Sequence, residues 1–152
     1  MPTSPRENDE SGARPWRVEP LRDLDQVDAL RAAPGTRLRS GVVDRLLVAQ
    51  TLVPRALRFL VVAGHHLPTA TTPCPHATGH ATGGAVDLTA FVDRSADPRP
   101  WSEEPPPHWT AVAEALRSVG MVDGDRWWHW SFGDTRWCER VGAPRPLHDV
   151  IA

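Results

Sequence analysis

The chain has 152 residues, with 17 basic and 19 acidic side chains and a formal net charge of −2. That length fits one domain with a core of its own, and the near-balanced charge offers no basic footprint for nucleic acid or an anionic membrane. No apolar run reaches the length of a membrane span, and Met1–Arg14 is polar, without the apolar stretch of a secretory signal; a cytoplasmic protein is expected.

Residues 1–20 are rich in Pro, Ser, Glu and Arg and have little to bury, so a flexible N-terminal tail is expected ahead of a single domain over 21–152. Leu24, Val27 and Leu30 recur at three-residue spacing and predict a short helix over Leu21–Ala33, ended by Pro34-Gly35. Ser40 is the expected N-cap of a second helix, with Val43, Leu46, Leu47 and Gln50 on one face and Pro54 closing it. Arg58–Val62 is apolar and β-branched and predicts a buried strand running into Gly64-His65-His66-Leu67-Pro68. Residues 67–79 predict a loop, Ala85–Val92 a second strand, and the proline-rich stretch Asp93–Pro107 a loop beside it. Val112, Leu116 and Val119 predict a helix from Trp109 to Val119, stopped by Gly120. Arg126–Phe132 predicts a third strand, Gly133-Asp134 a turn, and Arg136–Cys138 a short edge strand. Helices first, then strands with long connections, predict an α+β fold with a small antiparallel sheet and flanking helices.

The two cysteines, Cys74 and Cys138, form no CxxC pair and are expected as reduced thiols. Seven tryptophans and no tyrosine are present, and four of the tryptophans lie between Trp127 and Trp137; core packing accounts for most of such a cluster.

The chemistry concentrates in two blocks. Gly79-His80-Ala81-Thr82-Gly83-Gly84-Ala85-Val86-Asp87-Leu88 sets an imidazole and a carboxylate seven positions apart, and Arg126-Trp127-Trp128-His129-Trp130 adds a second imidazole. His80, Asp87 and His129 make a plausible three-ligand set for Zn²⁺, which takes N and O ligands and in catalytic sites keeps a fourth position open. The spacing H-x-x-G-x-A-x-D, followed some forty residues on by W-W-H, resembles the D-alanyl-D-alanine dipeptidases of vancomycin resistance. More broadly it resembles the zinc fold shared with D-Ala-D-Ala metallocarboxypeptidases and the hedgehog domain. The resemblance covers roughly residues 40–140 and implies that His80, Asp87 and His129 are the zinc ligands, with Trp127, Trp128 and Trp130 as the aromatic run around the last of them.

Two positions depart from that pattern. The family's general-base glutamate, at the start of E-W-W-H, is here Arg126, which stays protonated and cannot be a base. The family's tyrosine and arginine after the first strand correspond to His65 and His66. Loss of a positioned base costs ~10²–10⁴-fold in rate, and loss of an oxyanion donor a further ~10²–10³-fold. Asp125, one residue from the lost glutamate, and His66 are the candidate catalytic groups, while Arg126, His65 and Trp128 are candidates for binding substrate. Cys74 or His66 is a candidate fourth ligand.

Three functions follow. One is a repurposed zinc enzyme, a biosynthetic tailoring enzyme in type, whose metal acts as a Lewis acid in cyclisation, elimination or addition on a small, amino-acid-derived, anionic substrate. The second is an active zinc dipeptidase or amidohydrolase using Asp125 or His66 as base. The third is a non-enzymatic, zinc-stabilised binding module. Neither nucleic acid nor a membrane is an expected partner.

Overall fold

The computed structural model describes residues 19–67, 77–92 and 103–151. The tail up to residue 18, Cys74, His76 and most of the loop after Val92 lie outside the described residues. The chain is α+β. A short antiparallel ribbon pairs β1 (Leu21–Asp23) with β3 (Arg37–Arg39). A second sheet runs in the order β2 (Arg31–Ala32), β4 (Leu57–Ala63), β5 (Ala85–Val92), β7 (His129–Ser131), β6 (Val122–Asp123). Its pairings are antiparallel except that of β2 with β4, which is parallel, so this sheet is mixed rather than purely antiparallel as expected.

β5 is the central strand, and seven of its eight residues are buried because both neighbours and both faces cover it. Period-two alternation sends Val86, Leu88 and Ala90 to one face and Asp87 to the other. The first set joins a core with Val42, Val43, Leu46 and Ala49 of α1 (Ser40–Leu52) and Val112, Ala113 and Leu116 of α3 (Trp109–Ser118). Trp130 enters the same core, and its indole N–H donates to the Trp127 carbonyl at 2.9 Å. No described helix is long and apolar enough to cross a membrane.

Four sequence expectations are corrected. Leu21–Ala33 is β1, a single 3-10 turn over Leu24–Gln26 and β2, not a helix. Leu24, Val27 and Leu30 are buried as expected, but three-residue spacing suits a 3-10 turn and an irregular chain that tucks in every third side chain. Ser40 is the first helical residue rather than the cap; the Glu19 carboxylate, distant in sequence, accepts the Gly41 N–H instead. The third strand starts at His129, because the His129 N–H bonds back to the Arg126 carbonyl at 3.1 Å and closes a turn where strand was expected. The Arg136–Cys138 edge strand is part of helix α4 (Thr135–Val141), capped by Asp134 at its start and by left-handed Gly142 at its end.

Candidate metal centre

Three elements deliver the three ligands. His80 lies on the short helix α2 (Ala77–Ala81), whose first three residues fall in the stretch expected to be loop, 67–79. Asp87 is the third residue of β5, and His129 is its direct cross-strand partner at the start of β7. The link from α2 into β5 is fixed by its glycines and by a buried arginine. Gly83 has φ +73°, and a Cβ on Gly84 would stand 2.6 Å from the Phe132 carbonyl oxygen. Arg39, almost fully buried, donates to the Thr82 carbonyl at 2.8 Å, the Asp149 carbonyl at 2.8 Å and the Glu19 carbonyl. The Ile151 N–H donates to the Ala81 carbonyl at 2.8 Å, so the last described residues also hold α2 in place.

The ligand atoms of His80, Asp87 and His129 lie within 4.8 Å of one another, and the three residues are 0, 5 and 2 % exposed. Asp87 Oδ1 is 2.8 Å from His129 Nδ1 and 3.2 Å from His80 Nε2. Tetrahedral zinc with bonds of about 2.0–2.2 Å would hold its ligand atoms roughly 3.3–3.6 Å apart, close to this spacing. The tautomer of His80 follows from its partner. Its Nδ1 is 2.8 Å from the Gly64 carbonyl oxygen, which can only accept, so Nδ1 carries the proton. Nε2 is then the nitrogen turned to the site, fully buried, without a hydrogen bond and facing a carboxylate oxygen. An imidazole nitrogen and a carboxylate oxygen at this distance can share a proton or a metal ion, and a backbone carbonyl holding the far nitrogen is the usual support of a metal-bound histidine. The donor set and its spacing fit a divalent ion such as zinc.

Burial alone would push the Asp87 carboxyl up, but the neighbouring His129 and His80 outweigh it and take it down to about 2. The carboxylate is therefore ionised at any physiological pH.

His66 stacks on His80 with ring centroids 4.5 Å apart, and its Nδ1 donates to the same Gly64 carbonyl at 3.2 Å, which leaves its Nε2 as the acceptor nitrogen. It is not a member of the mutually close ligand set. Burial first, and then the charge of His80, hold His66 below the ordinary histidine range. His65 turns the other way and donates from Nε2 to the Ile151 carbonyl at 3.0 Å. Trp128 is half-buried against Trp127, with centroids 5.4 Å apart. Arg126 is exposed, its guanidinium carbon 5.9 Å from the Trp128 ring centre. Asp125 is exposed too, and its carboxylate pairs with Arg136 at 2.7 Å. The structure thus gathers His80, Asp87, His129 and His66, sets Trp128 and Arg126 on the turn leading into His129, and directs Asp125 to Arg136.

Sequence reasoning missed the groups that hold the ligands. A Cβ on Gly64 would meet the Arg37 carbonyl oxygen at 2.5 Å, and one on Gly124 would meet His129 Cδ2 at 2.5 Å. The second had a signal in Asp123-Gly124-Asp125, a turn just before the ligand block; the first lay in the segment already noted for its two histidines. Compared with known proteins, the chain matched no protein-family model, and no curated protein matched it either.

Proposed function

We propose that this chain is a zinc-dependent enzyme of D-Ala-D-Ala-dipeptidase-like build, repurposed for a small, anionic, amino-acid-derived substrate. The observation that carries the proposal is the buried Nε2 of His80, without a hydrogen bond and set against the Asp87 carboxylate, beside His129. His80, Asp87 and His129 would hold the ion, which supplies a Lewis acid that polarises a substrate oxygen. His66 is the acid–base group of the proposal, since it lies against His80 and its Nδ1 is already occupied by Gly64. Arg126 anchors a substrate carboxylate; among the described residues its guanidinium has no ion pair, and its fork suits a bidentate oxyanion. Asp125 pairs with Arg136 and Arg126 cannot be a base, so hydrolysis of D-Ala-D-Ala is expected to fall far below the ordinary range of ~1–10³ s⁻¹.

The burial of all three ligands favours one other function, a zinc-stabilised binding module. Cobalt substitution separates the two. In the enzyme, acetohydroxamate added to the Co²⁺ protein shifts its visible absorption by entering an open coordination position. An unchanged spectrum means the ion is closed off by protein and serves the fold. D-Ala-D-Ala turnover at an ordinary rate would restore the dipeptidase function, and failure to bind Co²⁺ or Zn²⁺ at all would remove the metal from the proposal.

A further inference from the structure

A second feature lies at the far end of β5. Arg58 pairs directly with Phe91 across β4 and β5, and Arg31 pairs with Leu60 across β2 and β4. Arg58 and Leu60 are two apart on one strand, so Arg31, Arg58 and Phe91 emerge on one face of the sheet. The Arg31 guanidinium carbon is 5.2 Å from the Phe91 ring centre. With Asp28, Ala29, Gln50 and Phe59 these residues line a cavity of about 230 Å³. Phe91 is four residues along β5 from Asp87, roughly 13 Å by strand rise, so this cavity is separate from the metal centre.

The polar groups of the cavity are unevenly committed. Gln50 is engaged by the backbone, donating to the Leu57 carbonyl at 2.9 Å and accepting the Phe59 N–H at 2.8 Å. Among the described residues the guanidinium of neither Arg31 nor Arg58 has a hydrogen bond or ion pair, and Asp28, the one carboxylate in the lining, pairs with neither. Like charges placed as near neighbours on one sheet face repel. Guarding a sheet edge with charge would explain why both are charged, since β2 covers β4 only at Leu60 and Val61, but not why both border one cavity with Phe91.

We infer that the cavity bordered by Arg31, Arg58 and Phe91 is a binding site for a small oxyanion, a carboxylate or a phosphate, held between the two guanidiniums beside the Phe91 ring. Each guanidinium presents a planar fork of donors matched to such a group. Phe91 supplies an apolar floor, and the cavity is of a size for a compact metabolite rather than a macromolecule.

Calorimetric titration of the full-length protein tests this, using inorganic phosphate in one arm and succinate in another, at constant ionic strength set with sodium chloride. Saturable binding is expected in at least one arm, and the arm that binds more tightly identifies the oxyanion. Arg58→Ala and Arg31→Ala should each weaken it at least tenfold, with Arg58→Lys intermediate because it keeps the charge and loses the fork. His129→Ala should leave it unchanged. Absence of saturable heat in both arms overturns the site. So does binding that survives Arg58→Ala but vanishes in His129→Ala, since the anion would then sit at the metal centre.

Discussion

His129 reaches Asp87 only because Gly124 has no side chain. A Cβ there would stand 2.5 Å from His129 Cδ2 and 3.0 Å from the His129 carbonyl oxygen, which itself accepts the Gly124 N–H at 2.7 Å. Gly124→Ala must therefore displace the imidazole or break the turn. We expect a loss of about 1–3 kcal/mol in stability from overpacking, and a zinc affinity lower by about 10–100-fold, as for other supports of a metal ligand. Competition with a chelator dye measures the second effect, and an unchanged affinity would show that His129 does not need this clearance. Asp87 carries a different signature. Its folded pKa of about 2 lies below the unfolded value of ~3.9, so its ionisation stabilises the fold at pH above ~3.9, and that contribution is lost as pH falls toward 2. Linkage makes the contribution about 2–3 kcal/mol in the metal-free protein. The gap between urea midpoints of metal-free wild type and Asp87→Asn should be full at pH 7 and shrink to about a third by pH 2.5; a constant gap across that range would mean that Asp87 contributes through packing alone.

At the scale of elements, α4 shows where local signals misled. Arg136-Trp137-Cys138 has strand-like residues, yet Asp134 accepts the Trp137 N–H at 2.9 Å as an N-cap, and Gly142 at φ +71° ends the helix. Both cap residues stand in the sequence at helical spacing, and the short apolar window obscured them. Asp134 is also buried, and its Oδ2 would lie 2.7 Å from a Cβ on Gly79, so the cap of α4 packs on the helix that carries His80. Asp134→Ala should cost about 1 kcal/mol from the cap, a fall of roughly 2–4 °C in Tm for a domain of this size, with zinc content retained; calorimetry and metal analysis check the two halves. The strands with strong apolar character were legible: β5 has the bounds expected, and β4 extends the expected strand by one residue at each end. The cluster of His80, Asp87 and His129 was legible because two histidines and an aspartate stand at a recognisable spacing. The Gly64 carbonyl that orients His80 was not, since any residue supplies a carbonyl. Nor was Arg39, whose three backbone partners lie 43, 20 and 110 positions away.

Across the whole molecule, the candidate ligand cluster sits where α2 meets the paired strands β4, β5 and β7. His80 is tied through Gly64 to the exit of β4, Asp87 belongs to the central strand, and His129 opens the strand that carries Trp130 into the core. An ion at this point would fasten the α2 segment, the sheet and the β6–β7 hairpin at once. Anything that binds the folded chain and not the unfolded one stabilises it by mass action, about 2.7 kcal/mol at a hundredfold excess over Kd and about 4.1 kcal/mol at a thousandfold excess. For a chain of this length that is a rise of roughly 5–16 °C in Tm. Wild-type protein is therefore expected to lose that much on dialysis against a chelator and to regain it with zinc. His129→Ala should melt at one temperature with or without zinc. The indoles of Trp127 and Trp128, immediately before the last ligand, give an optical readout in the same titration. A Tm indifferent to both zinc and chelator, with His129→Ala less stable by the same margin under either condition, would identify the triad as a buried proton-sharing cluster that stabilises the sheet without metal.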